Sequence, residues 1–589
     1  MDEGQDRDER LVAAGAKPPA ATSRRARPAW RRALLLAGAR ARAAVVVALS
    51  IPAPTWAQDH RGGSFAEAAR RLAAETPPDT RRGSPLRRLY DRGEAGPLWS
   101  AGGHPTRQAL QVIALLEDAS SRGLDPRDYA AGGLAASAAE LEGRASVDST
   151  GLARFDVALS RSLLRFLADL HEGRANPRVL RFHLPDAHRG LDLAAIAADV
   201  SRAADPGAVI GATEPPYAGY GALKGALQRY RTLAADSSLR PPLPARVPLR
   251  AGDPYADAAA LRRLLLALGD LPGVAARDTV PTDGYSIDLA DAVTVFQRRH
   301  GLDADGVIGP ATMAALRVPL AHRVRQIELT LERWRWLPDT APDRYAVVNI
   351  PGFRLYLFEH DPTAARPRLR MNVIVGQAAG RRGTPVFSGT MREVVFRPYW
   401  DVPPSIARNE LLPAIRRRPG YFERERLEIV RGGDVGAVIY PLTSANLARV
   451  ASGTLRLRQR PGPDNSLGLV KFVFPNDYSV YLHGTPAQEL FAQVRRDFSH
   501  GCIRVEDPLT LAEHALAGQD GWDRDAIERA MQGDRTLRVG IARPVAVYVL
   551  YASVVVRDGA EVHFYPDIYG HDATLARQLA ATSAHAAAR

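Results

Sequence analysis

Cys502 is the only cysteine in a chain of 589 residues. No intramolecular disulfide can therefore brace the fold, and hydrophobic cores have to hold it. One core does not suffice at this length, which points to roughly three or four domains. The same cysteine constrains the chemistry. It lies in Tyr481 to Val505, YLHGTPAQELFAQVRRDFSHGCIRV, directly after Ser499, His500 and Gly501. His483 lies upstream, at the end of an apolar, strand-like run. A lone cysteine is commonly a small buried hydrophobe. A thiol with histidines at this spacing is a candidate nucleophile with a candidate base. A free thiol has a pKa of about 8.5, so a neighbouring imidazole is needed to leave thiolate and imidazolium at neutral pH. The tetrahedral oxyanion that follows needs N–H donors. Gly501 lets the backbone come close to the reacting carbon.

The run from His483 to Ser499-His500-Gly501-Cys502-Ile503-Arg504 resembles the signature of the L,D-transpeptidases, whose catalytic unit is the YkuD domain. The resemblance implies Cys502 as nucleophile, His483 as base, and the carbonyl of Gly484 as the group that orients the base. It implies an oxyanion hole from the N–H groups of His500, Gly501 and Cys502, with the His500 ring supporting the loop. Many relatives have Asn where this chain has Arg504, and the larger members often have Asp where it has Gly484. Ser499, Arg504, Tyr399 and Trp400 are candidates for contact with substrate.

The hydrophobic fraction of 46% and the charged fraction of 24% are those of a globular protein. The formal charge is +13, and lysine occurs only at positions 17, 224 and 471, so arginine carries the excess. A basic surface suits an anionic polymer. No nucleic-acid motif and no aromatic-interleaved basic stripe is present, so nucleic acid is not expected as a partner.

Taken in order, residues 1–57 read as a signal peptide. Arg24, Arg25, Arg27, Arg31 and Arg32 precede a short apolar run from Ala43 to Ile51, and Thr55-Trp56-Ala57 forms a small-x-small site. Cleavage there would lower the formal charge from +13 to +8; a retained N-terminal anchor is the alternative. Residues 63–236 read as a helical scaffold. Leu152, Phe155, Leu159, Leu163, Phe166 and Leu170 recur at helical spacing, and PLRRLYDRGEAGPLW at 85–99 resembles the scaffold domain of the larger, Gram-negative type of L,D-transpeptidase. Residues 237–254 contain Pro241, Pro242, Pro244 and Pro248 and read as a linker. Residues 255–318, with FQRRHGL and DGVIGPAT, resemble the small three-helix peptidoglycan-binding module.

The helix at 321–337 is expected to carry the chain into a β-rich catalytic domain at 340–515, with a lid insertion at about 404–457, helical at first. RQRPGPDNSLGLVKFVFPN at 458–476 also looks like the family, and Asn465 is expected to shape the groove. Residues 516–589 are expected to pack on the catalytic or the scaffold domain, with a hairpin turn at Asp558-Gly559. The fold class is thus α+β and multidomain.

The resemblance implies cross-linking of peptidoglycan stem peptides, with tetrapeptides as donor and acceptor, through a thioester on Cys502 and release of D-alanine. It implies no cofactor and no metal, and carbapenems as covalent inhibitors. Three alternatives stay open: an L,D-carboxypeptidase, an enzyme that attaches or releases a wall-bound lipoprotein, and a non-catalytic wall-binding scaffold.

Overall fold

The protein, seen in a computed structural model, is described over residues 64–587, apart from 77–83, 92–95, 145–147, 186–189, 240–243, 245, 272–283, 360–366, 380–381, 434–435 and 558–559. The leader expected at 1–57, the Asp558-Gly559 turn and part of the 85–99 stretch lie outside the described residues.

Helices α1 (Phe65–Glu75), α2 (Pro85–Asp91), α3 (Arg107–Glu117), α4 (Ala131–Glu142), α5 (Ser149–Glu172), α6 (Leu193–Arg202) and α7 (Pro206–Gly211) share one apolar core, joined by the small hairpin β1 (Ser100–Ala101) and β2 (His104–Pro105). The long helix α5 organises it. Asp148 caps its start by accepting the Gly151 N–H, and Leu159, Leu163, Phe166 and Leu170 are buried along one face. The 85–99 stretch docks through polar groups inside this core. Tyr90 donates to Asp156 Oδ1 at 2.7 Å, the Trp99 backbone N–H to Asp156 Oδ2 at 2.8 Å, and the Trp99 indole to Ser160 Oγ at 2.7 Å.

Helix α8 (Ala218–Ala235) packs into a second core with the module helices α9 (Ala258–Leu268), α10 (Ile287–Arg299) and α11 (Pro310–Leu316), and with the bridging helix α12 (Leu320–Trp334). Gln297 explains why the module's turn has its sequence. Its amide accepts the Gly306 N–H at 2.8 Å and donates to Val307 O, Asp305 Oδ1 and Thr312 Oγ1 at 2.9–3.0 Å. One buried amide thus holds the DGVIGPAT loop against α10.

The β-rich domain is an eight-stranded closed barrel. Its strands are β3 (Arg344–Asn349), β4 (Arg354–Glu359), β5 (Leu369–Gly376), β6 (Phe387–Phe396), β11 (Val470–Val473), β12 (Leu482–His483), β14 (Ile503–Val505) and β15 (Leu537–Leu550). The order around the ring is β5-β14-β12-β11-β6-β15-β3-β4, and β4 closes back on β5; β13 (Asp497–Ser499) adds on to β5. Period-two alternation fills the inside with Ala346, Val348, Met371, Val373, Val470, Phe472, Leu482, Ile503 and Val505, among others.

The expected lid is more than helical. After Pro404–Ile406, the π-helical turn Ala407–Leu411 and Leu412–Arg417, it forms its own four-stranded sheet with its own small core. That sheet joins β7 (Trp400–Asp401), β10 (Arg456–Gln459), β8 (Leu427–Arg431) and β9 (Val438–Tyr440) in this order. Residues 516–589 are not an accessory layer. They supply β15, which sits inside the ring between β6 and β3 and pairs in parallel with β3. Only afterwards do the hairpin β16 (Val554–Arg557) and β17 (Glu561–Phe564) pack on the module core, and the helix His571–Ala587 reach α12.

Acid should destabilise this assembly. Burial pushes His300 well below its ordinary pKa, His483 and His563 down to about 3, and His571 down to about 4. Below pH about 6.5 the unfolded chain takes up protons at these rings that the folded chain refuses, at His483, His563 and His571 until pH 3–4, so stability falls with pH across that window. Asp156 and Asp169 act oppositely: burial raises both to about 6, so the folded state binds their protons first. Four histidines outweigh two aspartates, and the thermal midpoint is expected to drop between pH 7 and pH 4. A midpoint constant over that range in calorimetry would contradict this.

Candidate active site

The alternation that buries Leu482, Ile503, Val470 and Phe472 puts their neighbours on the outer face of the barrel. Strands β12 and β14 run parallel with Leu482 opposite Ile503 and His483 opposite Arg504. One step back along both strands, Tyr481 stands beside Cys502, and the Ile503 N–H donates to the Tyr481 carbonyl at 3.1 Å. On the other side Lys471 of β11 is opposite His483. Lys471, Tyr481, His483, Cys502 and Arg504 therefore form one outward-facing group. His483 and Cys502 are one diagonal step apart in it.

Cys502 is partly exposed on the turn that follows β13. Its Sγ lies 3.8 Å from the Ser479 carbonyl. Burial pushes the thiol up, while Tyr481, Lys471 and Arg504 pull it back down. His483 is 4% exposed, and its Nδ1 lies 2.6 Å from the Gly484 carbonyl. That carbonyl can only accept, so Nδ1 carries the proton and Nε2 keeps its lone pair. Burial first, then Arg504, takes the ring down to about 3; Lys471 adds to this, and the carbonyls of Gly484 and Leu467 oppose it. Burial thus favours the neutral form of both the Cys502 thiol and the His483 ring, against the thiolate–imidazolium pair expected from the sequence. Among the described residues the sulfur's hydrogen-bond partner is the Ser479 carbonyl, not the His483 ring.

The turn itself is tied from below. Ser499 Oγ accepts the Gly501 N–H at 3.1 Å and donates to the Cys502 carbonyl at 2.5 Å. Thr384 Oγ1 donates to the Gly501 carbonyl at 2.8 Å and accepts the Gly376 N–H at 2.8 Å. Gly501 has φ +120°, a conformation open to glycine and strained for any other residue. These bonds change two sequence assignments. Ser499 is 3% exposed and braces the turn, so it does not face substrate. The Gly501 N–H is spent on Ser499, which removes it from the expected oxyanion hole, while the N–H groups of His500 and Cys502 make no hydrogen bond among the described residues.

Close approach also sets the base. A Cβ on Gly468 would lie 2.7 Å from Gly484 C and Thr485 N, so only glycine lets this loop press on the strand end that carries His483. Asn465 holds the same loop by donating to the Arg460 carbonyl at 2.9 Å and accepting the Leu467 N–H at 2.8 Å.

The other candidates are placed as follows. Arg504 is half-buried beside His483 and lowers its pKa. Trp400 packs against the lid's core, and the Arg458 guanidinium stacks 4.0 Å over the Tyr399 ring, so both aromatics serve the lid's base. The His500 ring points away from the sulfur, to Glu410 and Arg382. Sequence reasoning did not assign Tyr481, Lys471 or Thr384. The alternation of Tyr481 with His483 was a usable signal for the first; pairing across strands was needed for the others. An apolar cavity of about 210 Å³ lined by Tyr217, Trp334, Tyr345 and Phe358, among others, shares no residue with this group. Among the described residues no three His, Cys, Asp or Glu side chains converge to hold a metal ion. Nor is any helix there long and apolar enough to cross a membrane.

Comparison with known proteins agrees with this layout. Residues 343–534 match the family model of the YkuD L,D-transpeptidase catalytic domain, residues 84–227 that of a scaffold domain, and residues 255–316 that described as "Putative peptidoglycan binding domain". A protein of Haemophilus influenzae named "Putative L,D-transpeptidase" is 29% identical over 248 residues, 42% of this chain. The match covers 48% of that relative, about half its length.

The electrostatics make a prediction about the thiol. Alkylation of Cys502 by iodoacetamide should rise only in the alkaline range, without the acidic plateau of a preformed thiolate–imidazolium pair. Tyr481→Phe removes a hydroxyl that lowers the thiol's pKa and should move that rise to still higher pH. A plateau near pH 5, or a Tyr481→Phe profile shifted to lower pH, would contradict the neutral pair.

Proposed function

We propose, for a chain that carries a YkuD-type L,D-transpeptidase catalytic domain at residues 343–534, that Cys502 transfers peptidoglycan stem peptides between wall strands, with His483 as base. The observation that carries this reading is the row of Tyr481, His483, Cys502 and Arg504 on one outer face of the barrel, beside a turn with free N–H groups. The peptidoglycan binding domain at 255–316 supports wall glycopeptide as the partner, and an extracytoplasmic place of action follows from such a substrate.

The chemistry runs as follows. The thiol attacks the carbonyl of the diamino acid at the third position of a tetrapeptide stem. The S–C bond forms as the thiol proton passes to His483 Nε2, and the N–H groups of His500 and Cys502 receive the oxyanion. An imidazolium between Arg504 and Lys471 is a strong acid. It gives its proton readily to the departing amine as the C–N bond breaks and D-alanine leaves. The hydroxyl of Tyr481, held protonated by burial, lowers the thiol's pKa and so favours the charge that develops on sulfur. In the second half the side-chain amine of a neighbouring stem attacks the thioester, His483 takes the amine's proton, and sulfur leaves and is reprotonated. If water is the second nucleophile, the same intermediate ends in hydrolysis; if a lipoprotein lysine attacks or leaves, the product is an anchored or released lipoprotein.

Incubation of the protein with purified disaccharide-tetrapeptides, followed by mass spectrometry, tests the reading. Dimers with loss of one D-alanine are expected, and tripeptide alone would establish hydrolysis instead. Cys502→Ala should abolish the thioester, and His483→Ala should slow it by about 10²-fold or more, while both variants still sediment with wall sacculi. A carbapenem should add its mass to the wild type and not to Cys502→Ala. Normal turnover by His483→Ala would remove this histidine as the base, and absence of any acyl-enzyme would leave only a wall-binding protein.

A further inference from the structure

Three segments meet at the nucleophile's turn, and one of them belongs to the lid. Glu410 sits in the π-helical turn Ala407–Leu411, a rare backbone form that concentrates at functional sites. Its Oε1 lies 2.7 Å from His500 Nε2 and 3.2 Å from Arg382 Nη2, while Arg382 Nη1 lies 2.9 Å from the same His500 nitrogen. Arg382 belongs to the segment whose Thr384 already grips the Gly501 carbonyl. Below, Ser499 and Thr384 hold the turn by its buried groups; above, the only recorded hydrogen-bond partners of the His500 ring among the described residues are Glu410 and Arg382.

The protonation pattern sharpens this arrangement. His500 Nε2 faces a carboxylate, which only accepts, and a guanidinium, which only donates. With a proton on Nε2 the ring donates to Glu410; without it the ring accepts from Arg382, and Glu410 is left to Arg382 alone. In both cases Glu410 is the lid's hold on the pair. All three side chains are between 31% and 38% exposed. Ion pairs this open to water contribute little stability, so the contact can be broken at little cost.

We propose that Glu410 is a positioning residue for the acyl transfer. With the lid down, its carboxylate fixes the His500 ring and thereby the orientation of the His500 and Cys502 N–H groups that receive the oxyanion. With the lid up, those donors are released. This rests on the transpeptidase reading above. It adds that the lid acts on the catalytic turn itself and does more than cover the cleft.

The test compares wild type, Glu410→Gln and Glu410→Ala by two readouts. The first is amide hydrogen exchange at 499–504, with the barrel strand 470–473 as the folding control. The second is the rate of thioester formation with a disaccharide-tetrapeptide. Glu410→Ala is expected to raise exchange at 499–504 severalfold with the control strand unchanged, and to lower kcat for thioester formation about tenfold with KM nearly unchanged. Glu410→Gln, which keeps an accepting oxygen, should recover part of both. Wild-type exchange at 499–504 in Glu410→Ala overturns the proposal, as does a change in KM alone, which would make Glu410 a substrate contact. If the wild type forms no thioester, the functional reading falls, and the exchange measurement still decides whether the latch exists.

Discussion

The parallel pairing of two very short strands, Leu482–His483 with Ile503–Val505, is the constraint on which the site depends. Side chains on a strand alternate, so burying Leu482, Ile503 and Val505 obliges His483, Cys502 and Arg504 to face outward together. A slip of one residue in either strand would bury one of these groups in an apolar barrel and expose a core residue in its place. Register here is enforced by the hydrophobic interior, and the catalytic arrangement is its by-product. This also accounts for the density of small structural devices nearby. Glycine at 468 and 501, Ser499 and Thr384 each protect a position in a strand pair too short to hold itself.

The electrostatics of the row follow from the same geometry. His483 lies between Lys471 and Arg504 because both are cross-strand neighbours. Two cations beside a buried imidazole keep it neutral and make its protonated form short-lived. The same cations, with Tyr481, favour charge on sulfur. A resting ion pair would be reactive towards any electrophile. A neutral pair is less so.

Arginine joins the domains. Arg299 forms a buried pair with Asp270 in the module and donates to the Val562 carbonyl of the C-terminal hairpin at 3.1 Å. Arg333 of α12 pairs with Asp572 at 2.6 Å, and Arg174 of the scaffold donates to Ser583 Oγ of the C-terminal helix at 3.4 Å. A planar guanidinium meets several oxygens at once and stays charged when buried. The bias towards arginine, read from the sequence as basic surface, is thus partly a matter of internal joints.

Much was legible in the chain itself. The lone thiol and its upstream histidine, the helical spacing of Leu159 to Leu170, and the turn after Phe296 each carry local rules: side-chain chemistry, a period of 3.6, and a loop closed by one amide. Those rules act over a few residues and need no knowledge of the rest. What the sequence could not determine is what depends on residues far apart meeting. The place of Leu537–Leu550 within the ring, the lid's sheet, the commitment of the Gly501 N–H to Ser499, and the neutrality of the His483–Cys502 pair all arise from packing. The identity of a group is a property of its residue, but its pKa, its partners and its exposure belong to the surroundings that folding supplies.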